Sequence, residues 1–289
     1  MSMYYLIVNE EKDSGCQVAK GIQTYMQEAG HRVVIQSHDA IDVQEKADMA
    51  IVLGGDGTVI TAAKKIADKE IPILGVNLGT LGFLTEIEKP KIYPALDAVM
   101  SGKYTIEKRM ALTAEVQKTG ETFFAVNEIV AGKRDFGRMV TTSVWVDGEW
   151  MDSYVADGVL IATPTGSTAY NLSAGGPILS PTMEAVVITP ICPHSFNKRS
   201  LVVSSQAEIC VKVEKTRESY VDEASVRCDG EVCAAVETGD VIRIQKAELP
   251  FNMVCIGEIG FYQKMRSKLN RTRREEEWQH EKKTTGTNY

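Results

Sequence analysis

Five apolar residues, Met49-Ala50-Ile51-Val52-Leu53, run without a break into Gly54-Gly55-Asp56-Gly57-Thr58, and a helix-forming segment carrying Lys64 and Lys65 follows. A short apolar run without polar alternation reads as a strand buried on both faces. Joined to a helix by a glycine-rich turn, it calls for an α/β arrangement with the loop at the strand's carboxyl end. The three glycines can take positive φ and let a ligand approach the backbone. Their N–H groups, at a helix N-terminus, form an anion site. Asp56 brings a second negative charge to a place suited to phosphate, which points to chemistry or a metal rather than to binding alone. A tight strand–helix turn with Asp56 as a local cap is the alternative, since Gly and Asp are common turn residues. The position directly after a buried strand favours function.

The first hundred residues repeat this alternation. Tyr4 to Val8 reads as a buried strand. Asp13 and Ser14 can cap a helix with Val18, Ile22, Tyr25 and Met26 on one face and Gly30 as its stop. Val33 to Gln36 and Ile73 to Val76 are further strands. Short connections between alternating strands and helices imply a parallel sheet covered on both faces. After Ser101-Gly102 the pattern changes to short strands, among them Leu112 to Val116, Thr122 to Val126 and Val140 to Val146, with a hairpin signal at Asp147-Gly148. The expected architecture is an α/β N-terminal domain with a Rossmann-like parallel sheet over 1–100, then a mostly-β domain over 101–261, with a short helix near Thr168 to Leu172. The Arg-, Lys- and Glu-rich run from Lys264 to His280 reads as a solvated helix or a frayed end.

Composition narrows the function. The chain has 289 residues, 44% of them hydrophobic, and a net charge of −7, which argues against nucleic acid as a main partner. No run approaches the roughly 18 apolar residues of a membrane span. The start lacks the basic region of a signal peptide. Six scattered cysteines without a Cys-x-x-Cys pair, and four unclustered histidines, fit the reduced thiols of a cytoplasmic protein better than a zinc site or a disulfide framework.

Three further segments carry chemistry. Asn77-Leu78-Gly79-Thr80-Leu81-Gly82-Phe83-Leu84-Thr85 follows a strand, with glycines for close approach and Leu81 and Phe83 as an apolar wall; a structural loop explains it equally well. Asn127-Glu128 ends the strand Thr122 to Val126, and an amide beside a carboxylate suits a ribose diol, although a strand-end cap is the plainer assignment. Asp157 to Pro177 runs from an apolar strand into Thr, Ser, Gly, Asn and Tyr with little charge. Small side chains there leave room for a bulky ligand, neutral donors fix its orientation, and Tyr170 offers a stacking face. His194, in Pro193-His194-Ser195, is more readily structural than catalytic.

In this order and spacing the four segments resemble the NAD kinases. The Gly-Gly-Asp-Gly-Thr loop alone is shared with lipid kinases and, in variant form, with phosphofructokinases; the other three are far more specific. The resemblance covers about Ala50 to Val203. It implies NAD bound between two domains, with 262–289 returning to the first. It implies transfer of the ATP γ-phosphoryl group to the 2′-hydroxyl of the adenosine ribose of NAD, giving NADP, with polyphosphate accepted by some relatives. Asp56 would then be the general base or the group orienting that hydroxyl; a weak base fits a loose phosphoryl-transfer transition state. Gly54, Gly55, Gly57 and Thr58 would hold phosphate, with Mg²⁺ bridging ATP oxygens. Asn127, Glu128, Asp157, Thr168, Ala169, Tyr170, Asn171, Leu172 and Ser173 match NAD-binding positions, and Arg138 falls near an NAD phosphate. A homodimer or homotetramer is also implied. Three positions depart from the family pattern: Val155 in place of Lys or Arg, Ser200 in place of Pro, and Glu231 in place of Gln. A lipid kinase would need an apolar acceptor pocket, which the hydroxyl-rich Thr163 to Ser173 run argues against. A dinucleotide sensor without catalysis would have no use for Asp56.

Overall fold

The computed structural model describes residues 1–79, 82–134, 138–216, 221–257 and 260–268. Among them lie three sheets. The first runs in the order Arg32–Ser37, Met3–Val8, Met49–Gly54, Ile73–Asn77, Phe251–Cys255 and Thr105–Arg109, with Ile87–Glu88 also beside Ile73–Asn77. The four leading strands pair in parallel. Met49–Gly54 is buried along its whole length, as its apolar run requires. Helix Gln17–Glu28 packs Ala19, Ile22 and Met26 on one face of the sheet, and helix Asp56–Ile66 packs Val59, Ala62, Ala63 and Ile66 on the other. Ile22, Met26, Val59 and Ile66 each contribute roughly 1.5–3 kcal/mol on full burial, the alanines less. Asp13 caps the first helix as its sequence suggests, accepting the Val18 and Ala19 N–H groups at 3.0 and 2.9 Å, and Gly30 ends it at φ +86°.

The second sheet, Glu149–Ala156 to Glu121–Ala125, and the third, Leu201–Ser204 to Glu231–Glu237, each have six strands with antiparallel pairing. They enclose one core that includes Leu112, Ile129, Ile161, Ile188, Val211 and Ile244. Asp147 and Gly148 both have positive φ, +52° and +80°, the demand of a two-residue hairpin turn.

Two strands from the β-rich stretch of sequence sit in the first sheet. Phe251–Cys255 pairs in parallel with Ile73–Asn77 and antiparallel with Thr105–Arg109. Alternation along a strand does not reveal which sheet will receive it. Residues 261–268 then form a helix against the loop after Ile73–Asn77. Lys264 Nζ donates to the Phe83 carbonyl at 3.3 Å, and the Phe83 and Phe261 rings lie 6.2 Å apart.

In the third sheet Glu128–Lys133 is flanked by Gly158–Ala162 and Glu223–Cys228. Asn127, Thr163 and Asp229 therefore meet at one end of three neighbouring strands, and Lys133 and Asp157 at the other, about 16 Å away at 3.3 Å per residue.

Candidate active site

The glycine turn lies at the carboxyl end of Met49–Gly54, where the strand order reverses between Met3–Val8 and Met49–Gly54. Open α/β sheets bind ligands at such a switch point. A cavity of about 350 Å³ opens there, lined by Asn9, Lys12, His38, Gly55, Asp56, Gly57, Thr58, Lys64, Asp229 and Glu231, among others. The expectation of positive φ is corrected: none of Gly54, Gly55 and Gly57 lies in the left-handed region. Space is what the first two supply. A Cβ on Gly54 would sit 2.3 Å from Thr58 Oγ1, and one on Gly55 2.7 Å from Lys12 Nζ. Thr58 Oγ1 accepts the Gly55 N–H at 3.4 Å, closing the turn. The first N–H groups of the 11-residue helix Asp56–Ile66 thus stand beside Lys12, in a cavity that Lys64 of the last turn also lines, a site for anionic phosphate.

Asp56 occupies the first turn of that helix. Its Oδ2 accepts the Phe83 N–H at 2.7 Å; its Oδ1 accepts those of Leu84 and Thr85 at 3.0 and 3.2 Å. Gly82 makes this approach possible, because a Cβ there would lie 1.7 Å from Asp56 Oδ1. The glycine serves the carboxylate rather than a ligand. Oδ2 retains a lone pair for a further donor. Thr80 and Leu81 lie outside the described residues, so the apolar wall is represented by Phe83 alone.

Asp229, in the lining of this cavity, accepts the N–H groups of Asn127 and Glu128, both buried, at 8% and 5% exposure. Glu128 Oε2 has no hydrogen-bond partner among the described residues. Burial pushes the Glu128 carboxyl up to about 8, and the Asp229 charge adds to this against a Tyr170 backbone N–H. Burial also raises Asp229, opposed by the N–H groups of residues 126–128 and by Lys64. Lys64 donates to Glu231 at 2.6 Å; burial disfavours its charge, but Glu231 and Asp229 raise its pKa overall.

Along the strand from Glu128, on the same face, Val130 and Gly132 line a second cavity of about 410 Å³ with Lys133, Arg134, Asp157, Tyr170, Ile191 and Arg227. Asp157 is paired with Lys133 at 2.7 Å. Val155, where the family pattern has a cation, is exposed on Glu149–Ala156 of the second sheet.

The hydroxyl-rich loop divides. A turn at Gly166–Thr168 and a helix at Tyr170–Ser173 form where a short helix is expected. Thr168 and Ala169 are half-buried, and Tyr170, Leu172 and Ser173 are exposed. Asn171 turns inward. It is fully buried, its Nδ2 donates to the Ser167 and Pro177 carbonyls, and its Oδ1 accepts the Thr189 hydroxyl at 2.7 Å. The Thr189 and Ser200 hydroxyls bond at 2.9 Å, so the serine that departs from the family pattern extends this network. Arg138 is exposed at the entry to Val140–Val146.

Sequence reasoning assigned no role to Lys12, Lys64, Asp229 or Lys133. Only Asp229 gave a local signal, as the first residue of an Asp-Gly turn.

An α/β unit whose glycine turn sets a carboxylate in a cleft that a β unit also lines, with a buried carboxyl beside it, is built for phosphoryl transfer to a nucleotide. Residues 36–104 match the ATP-NAD kinase N-terminal domain and residues 126–256 the ATP-NAD kinase C-terminal domain. The chain is 36% identical over 282 residues to an NAD kinase of Lachnoclostridium phytofermentans, covering 93% of this chain and 99% of that one. It is 40% identical over 277 residues to an NAD kinase of Moorella thermoacetica, covering 91% and 88%. The crystal structure of an Archaeoglobus fulgidus NAD kinase in complex with ATP superposes with a TM-score of 0.76 at 26% identity, covering 93% of this chain and 98% of that one. Yeast NADH kinase complexed with NADH shares the fold, with a TM-score of 0.80 at 24% identity over 88% and 83% of the two chains. The chain belongs to the ATP-NAD kinase family.

Proposed function

We propose that the protein transfers the γ-phosphoryl group of ATP, or a phosphoryl group of polyphosphate, to the 2′-hydroxyl of the adenosine ribose of NAD, giving NADP. The observation that carries this is Glu128, a buried carboxyl whose Oε2 has no partner among the described residues; its N–H is held by Asp229, which lines the cavity of Asp56, and its carboxyl accepts the N–H of Tyr170, which lines the cavity of Asp157. A dinucleotide laid along Glu128–Lys133 would reach both. Asn127 and Glu128 would take ribose hydroxyls, Asp157 and Tyr170 the far half, and Thr168, Ala169, Leu172 and Ser173 the rim, with Arg138 toward the NAD phosphates. Asn171 would hold the loop from within.

The free lone pair of Asp56 Oδ2 would orient the 2′-hydroxyl for in-line attack, and the amides of Phe83, Leu84 and Thr85 would fix its direction. Positioning of this kind is the main requirement of a loose phosphoryl transfer. Gly54, Gly55, Gly57 and Thr58, with the helix N-terminus, Lys12 and Lys64, would bind the donor phosphates. The carboxylates of that cavity, Asp56, Asp229 and Glu231, are engaged by N–H groups or by Lys64. This fits magnesium carried in by the donor's own phosphate oxygens, where it neutralises charge.

We further propose a cytoplasmic homodimer or homotetramer. All six cysteines are free thiols, and among the described residues no helix is long and apolar enough to cross a membrane. Light scattering would give the assembly.

The test is NADP formation by the purified protein, read with an NADP-specific dehydrogenase, comparing ATP with polyphosphate and NAD with NADH. Product with NAD and at least one donor is expected. No product from either donor while NAD still binds would refute the assignment.

A further inference from the structure

We propose that Asp229 is a positioning residue that holds Asn127 and Glu128 in the pose that receives the dinucleotide. The assignment rests on the acceptor proposed above. Asp229 and Gly230 form the turn between Glu223–Cys228 and Glu231–Glu237, with φ of +52° and +86°. From there the Asp229 carboxylate reaches a segment about a hundred residues earlier. Oδ2 accepts the Val126 N–H at 2.9 Å, and Oδ1 accepts those of Asn127 and Glu128 at 2.7 and 3.2 Å. The Asp229 N–H in turn donates to the Glu128 carbonyl at 3.0 Å.

The other side of the segment is held by Thr163. Its hydroxyl donates to the Val126 carbonyl and its N–H to the Asn127 carbonyl, both at 2.8 Å. Every backbone donor and acceptor of residues 126–128 therefore meets either Asp229 or Thr163. Gly166 closes the space behind, since a Cβ there would lie 2.0 Å from the Asn127 carbonyl oxygen. The segment has no backbone group left with which to shift, so the side chains of Asn127 and Glu128 leave it in one direction.

A carboxylate is an unusual choice for this grip. Charge-assisted bonds to three N–H groups are strong, but the charge stands beside Glu128 and opposes its ionisation, and only the ionised carboxylate offers both oxygens purely as acceptors to ribose hydroxyls. The groups facing the pair are Tyr170, from the short helix, toward Glu128, and Lys64, from the glycine-turn helix, toward Asp229. Asp229 thus holds the direction of Glu128 and adds to burial, the larger cause, in raising the pH at which Glu128 ionises. A purely structural cap would do neither.

The experiment measures NAD affinity by calorimetry, KM for ATP and NADP turnover between about pH 6 and pH 9 for the wild type, Asp229→Asn, Glu128→Gln and the double variant. Asp229→Asn keeps the size and some of the bonds and removes the charge. At about pH 9, where Glu128 is ionised in both proteins, its NAD affinity falls about tenfold while KM for ATP stays within about twofold. The midpoint of the pH dependence of NAD affinity moves down by about one pH unit. Glu128→Gln abolishes that pH dependence, and adding Asp229→Asn then moves no midpoint.

Equal losses for NAD and ATP, an unmoved midpoint, or unchanged affinity at high pH would each overturn the proposal. Should Asp229→Asn not fold, Thr163→Val loosens the opposite grip and must show the same selective loss for NAD; parallel losses there would overturn it as well. A wild type that binds NAD but makes no NADP would sink the kinase assignment and leave the affinity comparison still decisive for Asp229.

Discussion

Replacing Glu128 by Gln should make the protein more stable in alkali relative to the wild type. In the folded chain burial keeps the Glu128 proton on up to about pH 8, whereas the unfolded chain releases it near 4.5. Between those values the unfolded state binds fewer protons, so stability falls as pH rises. The contribution is fully present below about 4.5 and is lost once pH passes the folded value. At about 1.4 kcal/mol per pH unit, the interval sets an upper bound of about 5 kcal/mol. Relaxation and water penetration reduce this to on the order of 2–3 kcal/mol. Gln has nearly the same shape and does not titrate. Urea unfolding without nucleotide, at about pH 5 and pH 9, should show the variant gaining that amount on the wild type across the range. In thermal melts this corresponds to roughly 2–4 °C per kcal/mol. A difference between the two proteins that stays flat with pH would refute the burial argument.

Other substitutions probe the same framework. Gly82→Ala places a Cβ 1.7 Å from Asp56 Oδ1, so the carboxylate must leave its amides; kcat should fall roughly 10²-fold with folding intact by circular dichroism. Gly166→Ala presses on the Asn127 carbonyl, and urea titration should show a loss of about 2–3 kcal/mol, with NAD affinity reduced more than ATP affinity. Asn171→Ala removes the donor to the Ser167 and Pro177 carbonyls and leaves the Thr189 hydroxyl with Ser200, and should cost about 2–3 kcal/mol in the same titration.

The parts of the site that depend on neighbours in sequence were legible before the fold was known. The buried strand, the turn at Gly54 to Thr58, the Asp13 cap and the Asp147-Gly148 hairpin each follow from local sterics and hydrogen bonding. What could not be read depends on residues brought together from far apart. Nothing near Asp229 announces that it grips Val126 to Glu128, and nothing near Asp157 announces that Lys133 pairs with it. The strands at Thr105–Arg109 and Phe251–Cys255 alternate as strands of either sheet would. The glycines were recognised but for the wrong reason at Gly54 and Gly55, because sequence shows the missing Cβ without showing what fills its place. Asn171 looked like a contact for ligand from its company of hydroxyls, but its amide satisfies the loop's own carbonyls.

The central claim is that Asp56, held by the amides of Phe83 to Thr85, directs the 2′-hydroxyl of NAD toward the donor phosphate. The most direct measurement compares NADP formation and NAD binding in the wild type and Asp56→Asn. The account predicts NAD bound within a few-fold of wild type and turnover reduced by roughly 10²-fold or more. Turnover that survives the substitution would contradict it.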